Sequence, residues 1–376
     1  MRLSRRRLNR ATLARQMLLA RERVPVAEAM RRILALQAQE PASPYLALWN
    51  RLRDFDPADL DAAFWSFEVV KATLMRVTLH VVAAEDRPVF RDAMRPTLRG
   101  AGLHDRRFRS TGLSSDDSDA LVGQVVEFAE DPRTRQEIEE HVAERLGAPP
   151  EPGVWRALRM IAPLVHAPAD HPWSFDRTAR YVAPQDSARP ADPVEATRRL
   201  ILRYLEAFGP ASRRDFAQFA MLRQSDARPA WEALGDELVT MQGRDGATLY
   251  DVPGAPLPDE DAPAPPRLLP MWDSVLLAYV DRSRVIPEAY RPHVIRRNGD
   301  VLPTVLVDGE VAGVWRHVDG RVEVTAFHGL PDEAWDGIVQ EARALRQILV
   351  ARDAAVYGRY GHWWAKLPAG QAVRVD

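Results

Sequence analysis

The chain has no cysteine and only two lysines, Lys71 and Lys366. The first absence rules out disulfides, thiolate nucleophiles and cysteine-ligated zinc. The second leaves two side-chain amines and the N-terminal amine for Schiff-base chemistry. No apolar run is long enough to span a bilayer, and the arginine-rich N-terminus is not followed by a hydrophobic segment, so a cytoplasmic protein is expected. A Walker-type phosphate loop, a G-x-S-x-G elbow and an H-E-x-x-H pair are all missing. Glu137, Glu140, His141 and Glu144 share one helical stretch, but solvated helix faces commonly carry such residues. Neither a metal nor a cofactor is expected.

What is present is ordinary in amount and uneven in placement. The 376 residues are 46% hydrophobic and 28% charged, enough for two to four folded modules. Net charge is −2, too low for a non-specific coat on nucleic acid. Yet Arg2, Arg5, Arg6, Arg7, Arg10, Arg15, Arg21 and Arg23 crowd the N-terminus with Glu22 as the only acid. That cluster reads either as a solvated helix face or as a surface for phosphates.

Three stretches repeat one pattern: a helix, a short helix–turn–helix, and a two-stranded wing. In the third, Leu200, Ile201, Tyr204, Leu205 and Phe208 keep helical spacing over Asp192 to Phe208, and Gly209-Pro210 stops the helix. Ser212 with Asp215 is close to a capping box; a further helix runs from about Ala227 to Glu237, and Leu238–Met241 and Thr248–Tyr250 flank a turn at Gly243 to Gly246. In the second, Asp119 to Glu130 is the opening helix, Thr134 and Glu137 form a capping box, Trp155 to Leu164 is the third helix, and His171 to Tyr181 is the wing. In the first, helices are expected at Leu8 to Arg21, at Val26 to about Leu36 and from Asp56, before a β-rich run at Thr73 to Val82. A proline-rich stretch, Pro253 to Pro266, reads as a linker. Beyond it, Asp308-Gly309 between apolar runs and Asn298-Gly299 upstream are hairpin turns, followed by a helix from Asp332 to Arg352 and a short strand. The expected fold is mainly α with small β wings, an α+β chain of three tandem winged-helix units (1–112, 113–188 and 189–254), a linker at 255–266 and a β-hairpin-rich C-terminal part at 267–376. Such units present helices to nucleic acid, but they also serve as transcription regulators without catalysis and as protein-binding scaffolds.

The segment Leu34-Ala-Leu-Gln37-Ala-Gln39-Glu40-Pro41 carries the candidate chemistry. Pro41 disfavours helix at Glu40, so the chain should leave its helix here, and in an extended exit residues two apart point to one side. Gln37 and Gln39 would then project together. Two neutral amides can orient a water or bond a base edge, and neither is a strong base. Taken alone, they are also what a polar helix end looks like.

The glutamine–alanine–glutamine sequence after the second helix of a first winged helix resembles the motif of AlkZ-like DNA glycosylases. Leu13 to Leu19, Leu34 to Pro44, Met75-Arg-Val-Thr-Leu-His80, Leu269-Pro-Met-Trp-Asp-Ser-Val-Leu-Leu277 with Asp281-Arg-Ser283, and Asn298-Gly299 through Trp315 are similar to further blocks of that family. The resemblance covers nearly the whole chain. Asp300 departs from it, standing where many relatives have a bulky aromatic. The resemblance implies a C-shaped concave surface, hydrolysis of the N-glycosidic bond of N7-alkylated purines, and Gln37 and Gln39 as the catalytic pair. Two glutamines resemble the branch that unhooks interstrand crosslinks made by a genotoxic natural product; a sister branch with aspartate second is broader. The implied partner is duplex DNA carrying alkylated or crosslinked purines, bound by a monomer, with Arg5, Arg6, Arg7, Arg10, Arg76, His80, Arg296 and Arg297 as candidate contacts. Lys71 leads into the β-rich run and reads as structural or phosphate-binding, and Lys366 after Trp363-Trp364 reads as packed over an apolar surface. Neither is close to the glutamines in sequence, though folding can still bring one near, and the expectation is a monofunctional hydrolase that leaves an intact abasic strand.

Overall fold

The computed structural model describes residues 2–184, 192–243, 246–353, 355–368 and 370–375. In the first unit, α1 (Arg5–Arg15) starts at Ser4, whose hydroxyl accepts from the Arg7 amide. It is followed by α2 (Val26–Ile33), β1 (Leu36–Gln37), α3 (Ala42–Arg51), α4 (Pro57–Trp65) capped by Asp56, β2 (Val69–Thr73) and β3 (Leu79–Ala83). The long α5 (Arg87–Leu103) and short α6 (Arg106–Arg109) lead to the second unit: α7 (Ser115–Phe128), β4 (Arg133–Thr134), α8 (Arg135–Leu146), α9 (Pro152–Ile161), β5 (Val165–Ala167) and β6 (Arg180–Val182). The third holds α10 (Pro193–Phe208), α11 (Arg213–Ala220), α12 (Gln224–Leu234), β7 (Val239–Gln242) and β8 (Thr248–Asp251). Capping boxes open α8 at Thr134 and Glu137 and α11 at Ser212 and Asp215. The C-terminal part has β9 (Arg267–Leu269), α13 (Arg291–Val294), β10 (Thr304–Val307), β11 (Glu310–Val318), β12 (Arg321–Ala326), α14 (Asp332–Arg352) and β13 (Gln371–Val375).

The fold is mainly helical with small antiparallel sheets, as expected, but the wings are arranged differently. Among the described residues, of the three stretches expected to end in wings only the third keeps a separate hairpin, β7 with β8. The strands of the first and second units join in a six-stranded sheet ordered β1-β3-β2-β5-β6-β4. The second wing is not His171 to Tyr181: its strands are β5 and β6, and the residues between them form a long irregular connection. The five-stranded sheet β13-β12-β11-β10-β9 makes the C-terminal part, and at its β10–β11 turn Asp308 and Gly309 both have positive φ (49° and 80°), as the Asp-Gly signal requires. The positions 185–188 at the end of the second unit and 244–245 in the third turn lie outside the described residues.

Helix α2 stops at Ile33, short of Leu36, because Leu34 takes a left-handed conformation (φ 74°). Helices α3 and α5 escape the sequence reading for separate reasons. Every residue of α3 is buried, so no polar face marks its period, and α5 carries Pro96 inside it.

Two buried ion pairs lock these parts together. Arg15 on α1 holds Asp251 of β8 by two hydrogen bonds of 2.7 Å. Arg51 at the end of α3 holds Asp273 by two bonds of 2.8 Å, with both side chains fully buried. The stretch 253–266 is no free tether: the Pro256 carbonyl accepts from Arg15 and the Ala262 carbonyl from Arg10. Among the described residues no helix is long and apolar enough to cross a membrane. Removing one partner of a buried pair strands the other charge, at a cost of about 3–5 kcal/mol. Asp273→Ala should therefore lose that much stability in urea denaturation, and a loss below about 1 kcal/mol would refute the pair's role.

Candidate active site

The second glutamine of the pair is easier to see than the first. Past Leu34 the chain runs as edge strand β1, where Leu36 pairs with Val81 and Gln37 with His80 of β3. The Ala38 amide continues the ladder to the Leu79 carbonyl at 2.8 Å. Gln37, opposite His80, stands on one face of the sheet, and Leu36, opposite Val81, on the other with Ala38, which is 1% exposed. Gln37 is itself buried, at 6%, whereas Gln39 is exposed. Strand β1 ends at Gln37, and Gln39 lies beyond it, lining a cavity with Lys71, which stands opposite Val81 on the sheet face away from Gln37; the shared side that the spacing implies is not what the register shows.

Both carboxamides have their orientation fixed by a donor. Gln37 Oε1 accepts from Arg76 Nη2 at 2.9 Å, and Gln39 Oε1 accepts from the Leu79 amide at 3.2 Å. A guanidinium and a backbone N–H can only donate, so the atoms facing them must be oxygens and the amide nitrogens face away. Each oxygen retains a second lone pair and each nitrogen retains its hydrogens for a substrate or a water.

Arg76 is the hinge of this arrangement. It sits in the turn between β2 and β3, where Arg76 (φ 53°) and Val77 (φ 57°) are both left-handed, a conformation that costs a non-glycine residue, and above all a β-branched one, of order 1–3 kcal/mol. Its Nη1 donates to the Phe219 carbonyl at 3.1 Å and its guanidinium lies over the Phe219 ring, so the third unit braces it. Its Nη2 also reaches His80 Nε2 at 3.2 Å. Because arginine only donates, His80 Nε2 is the acceptor and the ring proton is on Nδ1, which donates to the Thr78 carbonyl at 3.0 Å. Burial and then the Arg76 charge push His80 down to about 3, so it is neutral at physiological pH. Burial, with Arg282 adding to it, lowers Arg76 to about 10, which leaves it charged.

Beside Gln39 opens a cavity of about 430 Å³ whose walls include Glu40, Lys71, His166, Phe175 and Tyr357. Folding thus carries Lys71, distant in sequence from the glutamines, into the wall that holds Gln39. Lys71 is 5% exposed, and burial pushes its amine down to about 8.

The other candidates fall in different places. Arg10 is 1% exposed and is spent on Asp308 and on the Asp308 and Ala262 carbonyls, so it cannot reach a phosphate; the expectation of a DNA contact there is corrected. Its neighbours on α1 are also paired: Arg6 with Asp308 at 2.6 Å, Arg5 with Glu310 at 3.2 Å and Arg7 with Asp259 at 3.5 Å. The arginine cluster clamps α1 to the β10–β11 turn and to the 253–266 strap, and a side chain at Gly309 would meet Asn9 and Arg10 below 3 Å. His80 is wholly buried and Arg76 half-buried; both stand behind Gln37 rather than on an open surface. Arg296 lies over the Trp363 ring at 5.0 Å, and Arg297 is exposed. Asp300, the departure from the family pattern, accepts from Trp363 Nε1 at 2.8 Å. Lys366 lies over the same ring at 4.7 Å, as its sequence context implies. Sequence reasoning missed one supporting contact: Ser274 Oγ donates to the Ala35 carbonyl at 2.7 Å, two residues before Gln37. The Asp273-Ser274 dipeptide inside a recognisable block was the available signal.

The profile of the family described as DNA glycosylase AlkZ-like matches residues 30–348. The chain belongs to this family. The AlkZ-like chain is 27% identical over 343 residues to an interstrand DNA cross-link repair glycosylase from Streptomyces sahachiroi, covering 84% of this chain and 88% of that protein. Its fold is similar to that of the Streptomyces sahachiroi DNA glycosylase AlkZ, with a TM-score of 0.76 at 22% identity over 95% of this chain and 98% of that one. Family membership gives the chain a glycosylase function and lends no support to the regulator reading.

The neutral His80 of this AlkZ-like glycosylase has a consequence for acid stability. In the unfolded chain a histidine takes up its proton near pH 6.5, whereas the folded protein resists that proton down to about 3. Stability should therefore fall as pH falls through that window. Between pH 7 and 4.5 the melting temperature of His80→Asn should drop less than that of the unmodified protein. Equal drops would mean that His80 is not held neutral.

Proposed function

We propose that this glycosylase hydrolyses the N-glycosidic bond of N7-alkylated purines in duplex DNA, including purines tied into interstrand crosslinks, with Gln37 and Gln39 orienting the attacking water. The observation that carries the reading is the fixed orientation of both carboxamides, one by Arg76 and one by the Leu79 amide.

The chemistry asks little acid or base of the protein. An N7-alkylated purine is cationic and already a good leaving group, so the bond to C1′ can break without a strong proton donor. What remains is to place water on the open face of the sugar and to stabilise an oxocarbenium-like transition state. A carboxamide oxygen with one lone pair engaged by the protein can accept a water hydrogen with the other, which aims the water's oxygen at C1′. The Arg76 charge stays one residue removed from the reacting sugar, behind Gln37, where it holds the amide rather than opposing the cationic transition state directly. Water, not an amine, is the nucleophile at C1′, so base release is monofunctional.

Crosslinked purines belong to this reading for two reasons. The relative from Streptomyces sahachiroi is described as a cross-link repair glycosylase, and Gln39 keeps the second glutamine of the motif rather than an aspartate. A lesion joined to both strands resists ordinary base flipping, which favours a site at an edge strand with an exposed Gln39. Arg297 is the phosphate contact of choice, since it is exposed and engaged by no carboxylate among the described residues, whereas Arg296 packs over Trp363 with its Nε and Nη2 buried; the reading takes the protein to be a cytoplasmic monomer acting on the nucleoid.

A positioned water lost by about 1 Å costs about 10²-fold in rate. Gln37→Ala and Gln39→Ala should each slow release of N7-methylguanine from duplex DNA by that order under single-turnover conditions. Stability should change by about 1 kcal/mol at Gln37, which loses one hydrogen bond, and by less at the exposed Gln39. Base release at the unmodified rate in the double variant would overturn the assignment.

A further inference from the structure

Lysine is rare in this chain, and one of its two copies occupies an unusual position. On the six-stranded sheet Lys71 of β2 lies directly opposite His166 of β5, so the two side chains stand side by side on one face. Both line the cavity that Gln39 borders. The Lys71 amine is 4.3 Å from the centre of the Phe175 ring and makes no hydrogen bond or ion pair with any described residue. The carboxylate whose charge acts on it, Glu40, is already held by Arg359 and by the Tyr360 hydroxyl. A lysine buried for structural reasons is normally paired, because an unpaired buried ammonium is costly. Burial lowers this one to about 8 against an opposing pull from Glu40, so that a minority is free amine at neutral pH. His166 is pushed well below its ordinary value by burial and then by Lys71, and so stays neutral beside the amine.

An unpaired amine of this kind is a nucleophile for a carbonyl. The glycosylase reaction makes one carbonyl beside Gln39: once the base has left, the abasic deoxyribose opens to expose a C1′ aldehyde, which Lys71 would meet from the sheet face opposite Gln37. We propose that Lys71 captures that aldehyde as a reversible imine and so retains the abasic product in the cavity after base release. The inference rests on the reading of Gln39 and its cavity as the site of base release. The Nζ lone pair adds to C1′, forming the carbon–nitrogen bond as the carbonyl π pair moves to oxygen. Neutral His166 carries the two amine protons in turn from the nitrogen to the oxygen, which leaves as water while C1′=N forms. Addition of water reverses each step and restores the amine, so nothing is oxidised or reduced. Hydrolytic base release is unchanged by this later step.

The test uses the full-length protein and a synthetic duplex in which a separate uracil glycosylase has already made an abasic site. Sodium borohydride reduces an imine to a stable amine, and peptide mass spectrometry locates it. The expected result is a one-to-one protein–DNA adduct on the peptide containing Lys71, reduced at least tenfold in Lys71→Met. No adduct, or an adduct only on Lys366 or the N-terminal amine, would overturn the proposal; mapping on the unmodified protein makes that outcome readable even if Lys71→Met folds poorly. Since the abasic site is preformed, failure to trap leaves the glutamine assignment standing. Conversely, a Gln37→Ala protein that traps the abasic strand but releases no base fails only in the first step.

Discussion

The bidentate pair between Arg51 and Asp273 is the constraint on which the site depends. Asp273 belongs to the C-terminal part and Arg51 to the helix that follows the glutamine motif. Their union places Ser274 against the Ala35 carbonyl, and so fixes the backbone two residues ahead of Gln37. Gln16 reinforces the same stretch by donating to the Ala207 carbonyl while its oxygen accepts from Arg51. An edge strand as short as β1 has little ladder to hold it, so its register comes from these contacts made by distant parts of the chain.

From that fixed strand the site is assembled by donors with no alternative role. Arg76 cannot accept a hydrogen bond, so its presence settles the orientation of Gln37 and the tautomer of His80 at once. The cost is a turn with two left-handed non-glycine residues, Arg76 and Val77. Strain of that kind persists only when surrounding contacts over-determine it. Here Phe219 of the third unit supplies both a carbonyl and a ring to Arg76, which ties the geometry of the glutamines to the docking of a segment some 140 residues away.

Much of the fold was legible because its signals are local. The capping boxes at Thr134 and Ser212, the Asp308-Gly309 turn and the long α14 are set by residues within a few positions of one another. What could not be read depends on partners far off in sequence. The N-terminal arginines look free until Asp308 and Asp251 are brought to them, and α3 shows no period because it is buried all round. Two wings merge into one sheet through the single pairing of Lys71 with His166, which no local pattern announces. For the site, the spacing of Gln37 and Gln39 implied one shared side, and the left-handed Leu34 that turns a helix exit into a short edge strand ending at Gln37 was not visible. The neighbours of Lys71 in the cavity are equally distant in sequence: they come from β5, from the β5–β6 connection and from the segment after α14.

The central claim is that Gln37 works from an orientation imposed by Arg76. A double-mutant cycle on single-turnover release of N7-methylguanine measures this directly, using Gln37→Ala, Arg76→Met and the two combined. If Arg76 acts through Gln37, each single variant is slow and the double variant is no slower than Gln37→Ala alone. If instead the two losses multiply, Arg76 contributes independently of the amide it holds, and the account is wrong.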